Sequence, residues 1–244
     1  MPLRGSAFLA LWNDFDPARE AEYECWHTFE HVPERVGIPG FLSGRRYRAA
    51  ERSEGQYFTL YELESLAALG SPGYAEVVDH PTAWSSAMRP SFRNFLRWPC
   101  ETLVTSGVGI GGAMATVKFT VPKDGAKLEQ STLASIEDLL ETAGITSIHL
   151  GRVDERSQFP VQNASVQPSP DREAYVLLVE GTSRASLEAA EPIIRAMLLQ
   201  SAQQAEDATW ATFDLAFNFD RLDIRAGSGR QPPRDDLRRR HAGD

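Results

Sequence analysis

The chain has little cysteine. Cys25 and Cys100 are the only two in 244 residues, too few for a disulfide framework or a cysteine-rich zinc module. Such sparse thiols fit a reducing compartment. Long apolar runs are missing too. Nothing approaches the roughly 18 consecutive apolar residues of a membrane span. The opening MPLRGSAFLALWNDFD carries one arginine and a short apolar stretch closed by Asp14 and Asp16, unlike a secretory leader. A cytoplasmic location is therefore expected. Basic excess is also absent: 25 Lys and Arg stand against 34 Asp and Glu, a net charge of −9. A phosphate backbone recruits the opposite sign. No nucleic-acid or membrane partner is expected, and the acidic balance serves solubility. Phosphate loops and serine-hydrolase elbows are lacking as well. GVGIGG at 107–112 has no Lys-Ser/Thr after it, and no G-x-S-x-G occurs.

What is present is an ordinary globular composition, 42% hydrophobic and 24% charged. The length suits one large domain or two small ones. Along the chain the order β-α-β-β-α-β occurs twice. Ala7 to Trp12 reads as a strand. Asp16 is a good N-cap and Pro17 suits a first helical position, so a helix is expected to about His31, stopped by Pro33 and the Pro39-Gly40 turn. Phe41 to Arg48 and Tyr57 to Leu63 read as strands. Helical segments are expected over Pro72 to Phe95, broken near Pro81, with a fourth strand near Glu101 to Thr105.

The pattern then restarts: a strand over Ala113 to Val121, helical spacing over Leu128 to Ala143, a strand over Ser147 to Val153, and a loop over Asp154 to Arg172. A strand over Tyr175 to Glu180 follows, then a helix capped by Ser183 to about Ala205, and a last strand over Thr209 to Phe219. The expected division is a first repeat over 1–105, a linker over 106–112, a degenerate second repeat over 113–225, and a disordered tail over 226–244, where Gly, Pro and Arg accumulate without apolar period.

The halves also align as text. AFLALW at 7–12 matches AMATVK at 113–118, and YFTLYELES at 57–65 matches YVLLVEGTS at 175–183, pairing Glu62 with Glu180. FLSGRR at 41–46 matches IHLGRV at 148–153, pairing Gly44-Arg45 with Gly151-Arg152. A β-α-β-β-α-β unit is ferredoxin-like. Its helices cover one sheet face and the other face must be buried. Strand residues here are apolar on both faces, Phe8 and Trp12 against Leu9 and Leu11. The expected fold is α+β: two fused ferredoxin-like repeats packed sheet to sheet as a pseudo-dimeric α+β barrel. The protein is expected as a monomer with pseudo-dimeric halves or as a homodimer.

One segment carries a resemblance. EYECWHTFEHVPERVGIPGFLSGRRY has Glu30-His31-x-Pro33, then Pro39-Gly40-Phe41 at a strand start with Arg45 and Arg46. It resembles the EthD-like proteins of the dimeric α+β barrel superfamily. YFTLYELES and SPGYAEVVDHPTAW fit the same pattern, over roughly residues 5–105. The second half resembles the family only in element order. The resemblance implies catabolic or secondary-metabolic small-molecule chemistry. Its relatives include isomerases, cyclases, cofactor-independent monooxygenases and haem proteins.

The residues of that stretch admit several chemistries. His27-Thr28-Phe29-Glu30-His31 matches H-x-x-E-H, and histidines at i and i+4 share a helix face and can hold zinc. No second-helix glutamate motif follows, so no metal is expected. In the acid/base reading His31, at a helix C-terminus, moves a proton. Arg45 and Arg46 alternate on their strand, so one of them faces the helices and holds an anion. Trp26, His27, Tyr47, Tyr61 and His80 complete the substrate-binding candidates, with Phe29 beside Trp26 as an apolar wall. Against this stands plain structure: His31 capping carbonyls, Trp26 and Phe29 in the core, and the arginines solvated or paired with Glu62 or Glu64. His149 is a conceivable haem ligand. Cys25 reads as a buried apolar residue.

The leading expectation is a cofactor-independent enzyme, with no cofactor. It would act by proton transfer (isomerase, cyclase, dehydratase or decarboxylase) on a small aromatic or lactone-like carboxylated metabolite. The alternatives are a non-catalytic small-molecule-binding protein and a cofactor-free monooxygenase.

Overall fold

The structure, a computed structural model, describes residues 2–50, 55–123, 139–157, 171–201, 206–225 and 229–241. Its strands are β1 (Ala7–Phe15), β2 (Phe41–Arg48), β3 (Tyr57–Leu63), β4 (Phe92–Gly107), β5 (Ala113–Pro122), β6 (Ile145–Val153), β7 (Arg172–Gly181) and β8 (Glu206–Asp220). They close into one barrel in the order β1-β3-β2-β8-β5-β7-β6-β4. All neighbours are antiparallel. Each half contributes the ferredoxin-like order, β4-β1-β3-β2 and β8-β5-β7-β6, and the halves join edge to edge at β2–β8 and β4–β6. Closure removes every free sheet edge.

The ladders equate the halves position by position. Ala7 pairs with Leu63 as Ala113 pairs with Gly181, and Phe8 with Glu62 as Met114 with Glu180. Ser43 opposes Glu62 as Ser147 opposes Glu180, each just past a register shift. This corrects the text alignment of β2 with β6. Arg45 corresponds to His149, not to Arg152. The Gly-Arg coincidence displaced the match by three residues, and an odd shift exchanges the faces of a strand. Arg45 points into the barrel, while Arg152 lies outside, bonded to Glu101 at 2.7 Å.

Alternation fills the barrel. Phe8, Ala10, Trp12, Tyr47, Phe58, Leu60, Trp98, Cys100, Met114, Val176, Leu178 and Phe213 form one inner cluster. Leu9, Leu63, Tyr61 and Phe41 face outward against α2 (Val32–Val36) and α3 (Pro72–Asp79). In the second half Val117, Phe119, Leu177 and Val179 pack under α5 (Arg184–Ser201), which Ser183 caps through Ser186 N–H at 3.2 Å. Side chains 199–201 are not among those described. The helix expected over Leu128–Ala143 lies mostly outside the described residues, as does most of the loop over 154–172. No helix among the described residues is long and apolar enough to cross a membrane.

Inside the barrel Phe8 reaches Gly151, where a β-carbon would meet its ring. Tyr47 occupies the corresponding place on β2, so a small residue on one side answers a large one on the other. Gly151→Ala is expected to cost about 1–3 kcal/mol by overpacking, read as a lower urea midpoint with unchanged slope.

Two expectations need correction. The helical stretch over Pro72–Phe95 ends with α4 (Ala83–Met88) and a 3-10 turn over Arg89–Ser91, because β4 already begins at Phe92. The tail is not a free end: residues 229–241 lie on the first half. Arg230 bonds Glu34 at 2.7 Å and the His80 carbonyl at 2.7 Å. The Arg234 amide donates to Glu30 at 2.7 Å. Asp235–His241 is a helix, α6. Charge complementarity with buried carboxylates orders a segment whose composition alone predicts disorder.

Candidate functional site

The signature segment forms one helical rod in three pieces. α1 (Glu20–Trp26) runs into a π turn over His27–His31, and α2 continues to Val36. The amide of Val32 donates to the His27 carbonyl five residues back. Pro33 offers no N–H and its ring crowds the preceding turn; widening that turn lets the helix pass through the proline instead of stopping there. His31 is therefore mid-rod, and the dipole argument for a helix-terminal imidazolium fails.

Tyr23, His27, His31 and Arg35 stand four apart along this rod. The His27 and His31 rings lie 4.8 Å apart, with Trp26 4.4 Å from His31 and Tyr23 5.1 Å from His27. His27 is buried and His31 half-buried. The Nδ1 atoms of both are sealed from solvent without a hydrogen-bond partner. Burial holds both imidazoles well below the usual histidine range, helped at His27 by Arg46 and Arg35, and at His31 by Arg35, His27, Arg89 and Arg46. Both are neutral at pH 7. The Tyr61 hydroxyl is buried and unpartnered on the sheet beneath. Its ring packs with Val32 over Gly44, where a β-carbon would meet both. Orphaned buried polar atoms are rare in native proteins and cost about 1–3 kcal/mol each. Three of them lie at this turn and on the strand beneath it, which makes it the candidate site.

The arginines divide as alternation requires. Arg46 faces the helices: Nη1 donates to Thr28 Oγ1 at 2.6 Å, Nη2 to Glu24 at 3.0 Å, and the guanidinium lies 5.4 Å from the Tyr23 ring centre. Arg45 faces the barrel interior and does not reach the histidines. Tyr47 goes with it into the barrel core, with burial raising its phenol. His80 also lies apart. Its side chain is 73% exposed and pairs with Glu76 at 3.1 Å. Phe29, 52% exposed, forms no wall. Trp26 is fully buried and donates to Ser85 at 3.3 Å, with one face still against His31. Of the candidates, the structure brings together Trp26, His27, His31, Arg46 and Tyr61, and places Arg45 and Tyr47 inside the barrel and His80 at the surface. Sequence reading missed Arg35 and Tyr23, although their i, i+4 spacing from the histidines was available.

Glu30 does not complete a zinc site. It turns from the histidines to accept from Thr82 Oγ1 at 2.5 Å and from the Arg234 amide. Among the described residues no group of three metal-ligating side chains forms. His149 lies inside the barrel with both ring nitrogens engaged, Nδ1 with Thr105 at 2.8 Å and Nε2 with Glu180 at 3.0 Å, which leaves none for iron.

That histidine belongs to an ionic cluster at one barrel end. Arg45 donates to Glu62 and, at 2.8 Å, to Glu180. Glu62 also accepts from the Arg4 amide at 3.0 Å and Glu180 from the Gly111 amide at 2.7 Å. Burial works to raise both carboxylates, but Arg45 and the hydrogen bonds prevail and hold them below the usual range.

The two groups give stability two acid limbs. The histidines bind protons less readily folded than unfolded. Their contribution is complete above about pH 6.5 and declines as pH falls, by up to about 1.4 kcal/mol per pH unit for each. Glu62 and Glu180, with depressed values, lose theirs only below about pH 4.3. Urea midpoints measured from pH 8 to 3.5 are expected to fall in two stages. A His27→Gln/His31→Gln variant should lose the upper stage alone; an unchanged upper stage would refute the assignment.

No family model and no curated protein matches the chain. Solved structures do. An anthrone oxidase-like protein superposes with TM-score 0.65 at 12% identity, covering 91% of this chain and 95% of its own. A monooxygenase candidate from Lactobacillus acidophilus gives 0.58 at 10%, covering 89% and 97%. A heme-binding protein from Thermus thermophilus gives 0.52 at 10%, covering 89% and 93%. These likenesses establish the architecture: the fold is the dimeric α+β barrel, realised within one chain.

Proposed function

We propose that the His27–His31 turn is the centre of a cofactor-independent enzyme. It removes a proton from a planar aromatic substrate whose C–H or phenol is acidified by a conjugated carbonyl, and the resulting carbanion reacts with oxygen. The supporting observation is the pair of neutral imidazoles with unpartnered Nδ1 atoms, set between aromatic rings and the charges of Arg35, Arg46 and Arg89. A neutral imidazole accepts a proton at any physiological pH. The imidazolium so formed is disfavoured by those arginines unless an anion forms beside it. A substrate enolate is such an anion, and the same arginines and the Tyr61 hydroxyl then stabilise it. For a methylene substrate the balance is CH2 + O2 → C=O + H2O, the carbanion supplying the electrons and oxygen accepting them. The anthrone oxidase-like and monooxygenase-candidate neighbours favour oxygen as co-substrate over a plain isomerisation or lyase step. The Glu30-His31-x-Pro33 and Pro39-Gly40-Phe41 segments favour placement among EthD-like proteins within the superfamily.

The test is an oxygen electrode with anthrone as probe. One oxygen consumed per quinone formed, abolished in His31→Ala, is the expected result. Product without oxygen uptake would return the reaction to proton transfer alone. Saturable binding without turnover would make the protein a binder.

A further inference from the structure

The C-terminal segment over 229–241 is fastened to the rod at the turn that carries the histidines. It crosses the end of α2 at Gly37, where a β-carbon would meet the Gly229 carbonyl oxygen at 2.6 Å and the Gln231 amide nitrogen at 3.2 Å. Arg230 Nε donates to Glu34 Oε1 at 2.8 Å, and its Nη2 donates to the His80 carbonyl, just past α3, at 2.7 Å. The Arg234 amide donates to Glu30 Oε2 at 2.7 Å. Leu237 packs against the cluster of Tyr23, Trp26, Trp84 and Met88, and the His241 ring lies 6.1 Å from that of Trp84. The segment therefore runs antiparallel to the rod as a strap and ties it to α3 and α4.

The strap is separable from the fold beneath it. None of residues 229–241 is buried, and the barrel closes without them, its last strand ending at Asp220. Leu237 is the one apolar side chain other than proline in the stretch, so the hold is mainly polar. What lies under it is buried: Glu30 is 2% exposed and Glu34 0%. A buried carboxylate must be paired. Glu34 is paired twice, accepting from Arg35 at Oε2 and from Arg230 at Oε1. The charges facing His31 are Arg35 from the rod, Arg46 from β2 and Arg89 from the turn after α4, with His27 and the Tyr61 hydroxyl beside them. After burial, Arg35 does most to keep a proton off His31. Glu34 and Arg230 also act on Arg89, with opposite signs.

We propose that the strap regulates the histidine site through Glu34. Seated, it divides that carboxylate between Arg230 and Arg35 and leaves Arg35 only partly neutralised against His31. Lifted, it returns the carboxylate to Arg35 and uncovers Glu30. Every change on lifting has the same sign. Arg230 departs, Glu34 is left to Arg35 and Arg89, and water reaches the carboxylate side of the turn, so the imidazole takes a proton more readily. The seated strap thus keeps His31 a neutral base in mild acid. This regulation rests on the function proposed above for its effect on turnover, but not for its effect on the imidazole.

Gly37→Ala and Arg230→Met test it in the full-length chain. Gly37 has helical dihedrals, φ −64° and ψ −18°, so alanine suits the backbone, its methyl meets the strap first, and every ionisable group is kept. Arg230→Met leaves the backbone path and removes the competing cation. The chain has five histidines, few enough for ring-labelled NMR signals to be assigned by substitution, with His149 inside the barrel as reference. In both variants the His31 titration should move up by about half a pH unit or more; Arg230→Lys, which keeps the charge, should stay nearer wild type. Amide exchange at Arg234 and Leu237 should quicken in Gly37→Ala, as lifting requires. With anthrone as substrate, the acid limb of kcat/KM should move with the imidazole. A moved imidazole without turnover in any form would refute the oxygenation and leave the role of the strap standing. A His31 titration unchanged in both variants, with only a lowered urea midpoint, would make the strap a structural clamp and overturn the proposal.

Discussion

Arg45→Met is expected to remove about 3–5 kcal/mol of unfolding free energy, the cost of deleting one partner from a buried ionic group. Arg45 is 2% exposed and bridges Glu62 and Glu180, which occupy matched positions in the two halves. Without it, two carboxylates confront each other in the barrel, left among the described residues with the Arg4 contacts on one, and His149 and the Gly111 amide on the other. Like charges at low dielectric drive one carboxyl to take up a proton. The sign of the pH dependence should then reverse. In wild type the carboxylates are depressed, so their contribution is present at neutral pH and lost in acid. In the variant at least one is raised above its unfolded value, so stability improves as pH falls from 7 toward 5 before general acid loss sets in. Adding Glu62→Gln and Glu180→Gln removes the confronted charges and should restore part of the loss. Urea unfolding at pH 7 and pH 5 decides this: a loss under 1 kcal/mol with the wild-type pH trend would show that the barrel end does not depend on Arg45.

How this cluster arises shows what the sequence makes legible. Strand order and the pairing of Glu62 with Glu180 follow from local pattern, because apolar alternation and the YFTLYELES/YVLLVEGTS match both sit on continuous ladders. The correspondence of Arg45 with His149 does not. It depends on register shifts at Phe41/Ser43 and Ile145/Ser147, and nothing in a linear alignment marks a bulge. The same limit applies to the helical rod. Pro33 reads as a stop because a proline breaks the α-helical ladder, yet a π turn just before it removes the conflict. Tyr23, His27 and His31 were visible as i, i+4 spacing before the proline, but Arg35 joins the stripe only when the helix is carried past it. The tail is ordered on Glu30 and Glu34, two buried carboxylates whose inward orientation no composition measure reveals. In each case a local rule held and a tertiary contact overrode it.

The site itself predicts its kinetics. His31→Ala is expected to lower kcat by about 10²–10⁴, the usual worth of a positioned general base. His31 is the proposed base, as the half-buried member of the pair, against Trp26 and nearer solvent, while His27 is sealed at 3% exposure beneath Tyr23. The pH profile separates this from a merely structural histidine. Burial and Arg35 hold His31 well below the ordinary histidine range. Wild-type kcat/KM should therefore stay level down through pH 6.5 and fall only in stronger acid. Arg35→Met removes the largest neighbouring charge, and Glu34 keeps Arg230 as partner. His31 should then become easier to protonate, and the acid limb should move upward toward pH 6.5. In His27→Phe the ring volume remains and a second ionisable neighbour is gone, so turnover should persist at a reduced level. A wild-type profile breaking near pH 6.5, or an acid limb unmoved in Arg35→Met, would remove His31 from the reaction and leave the orphaned Nδ1 atoms without this explanation.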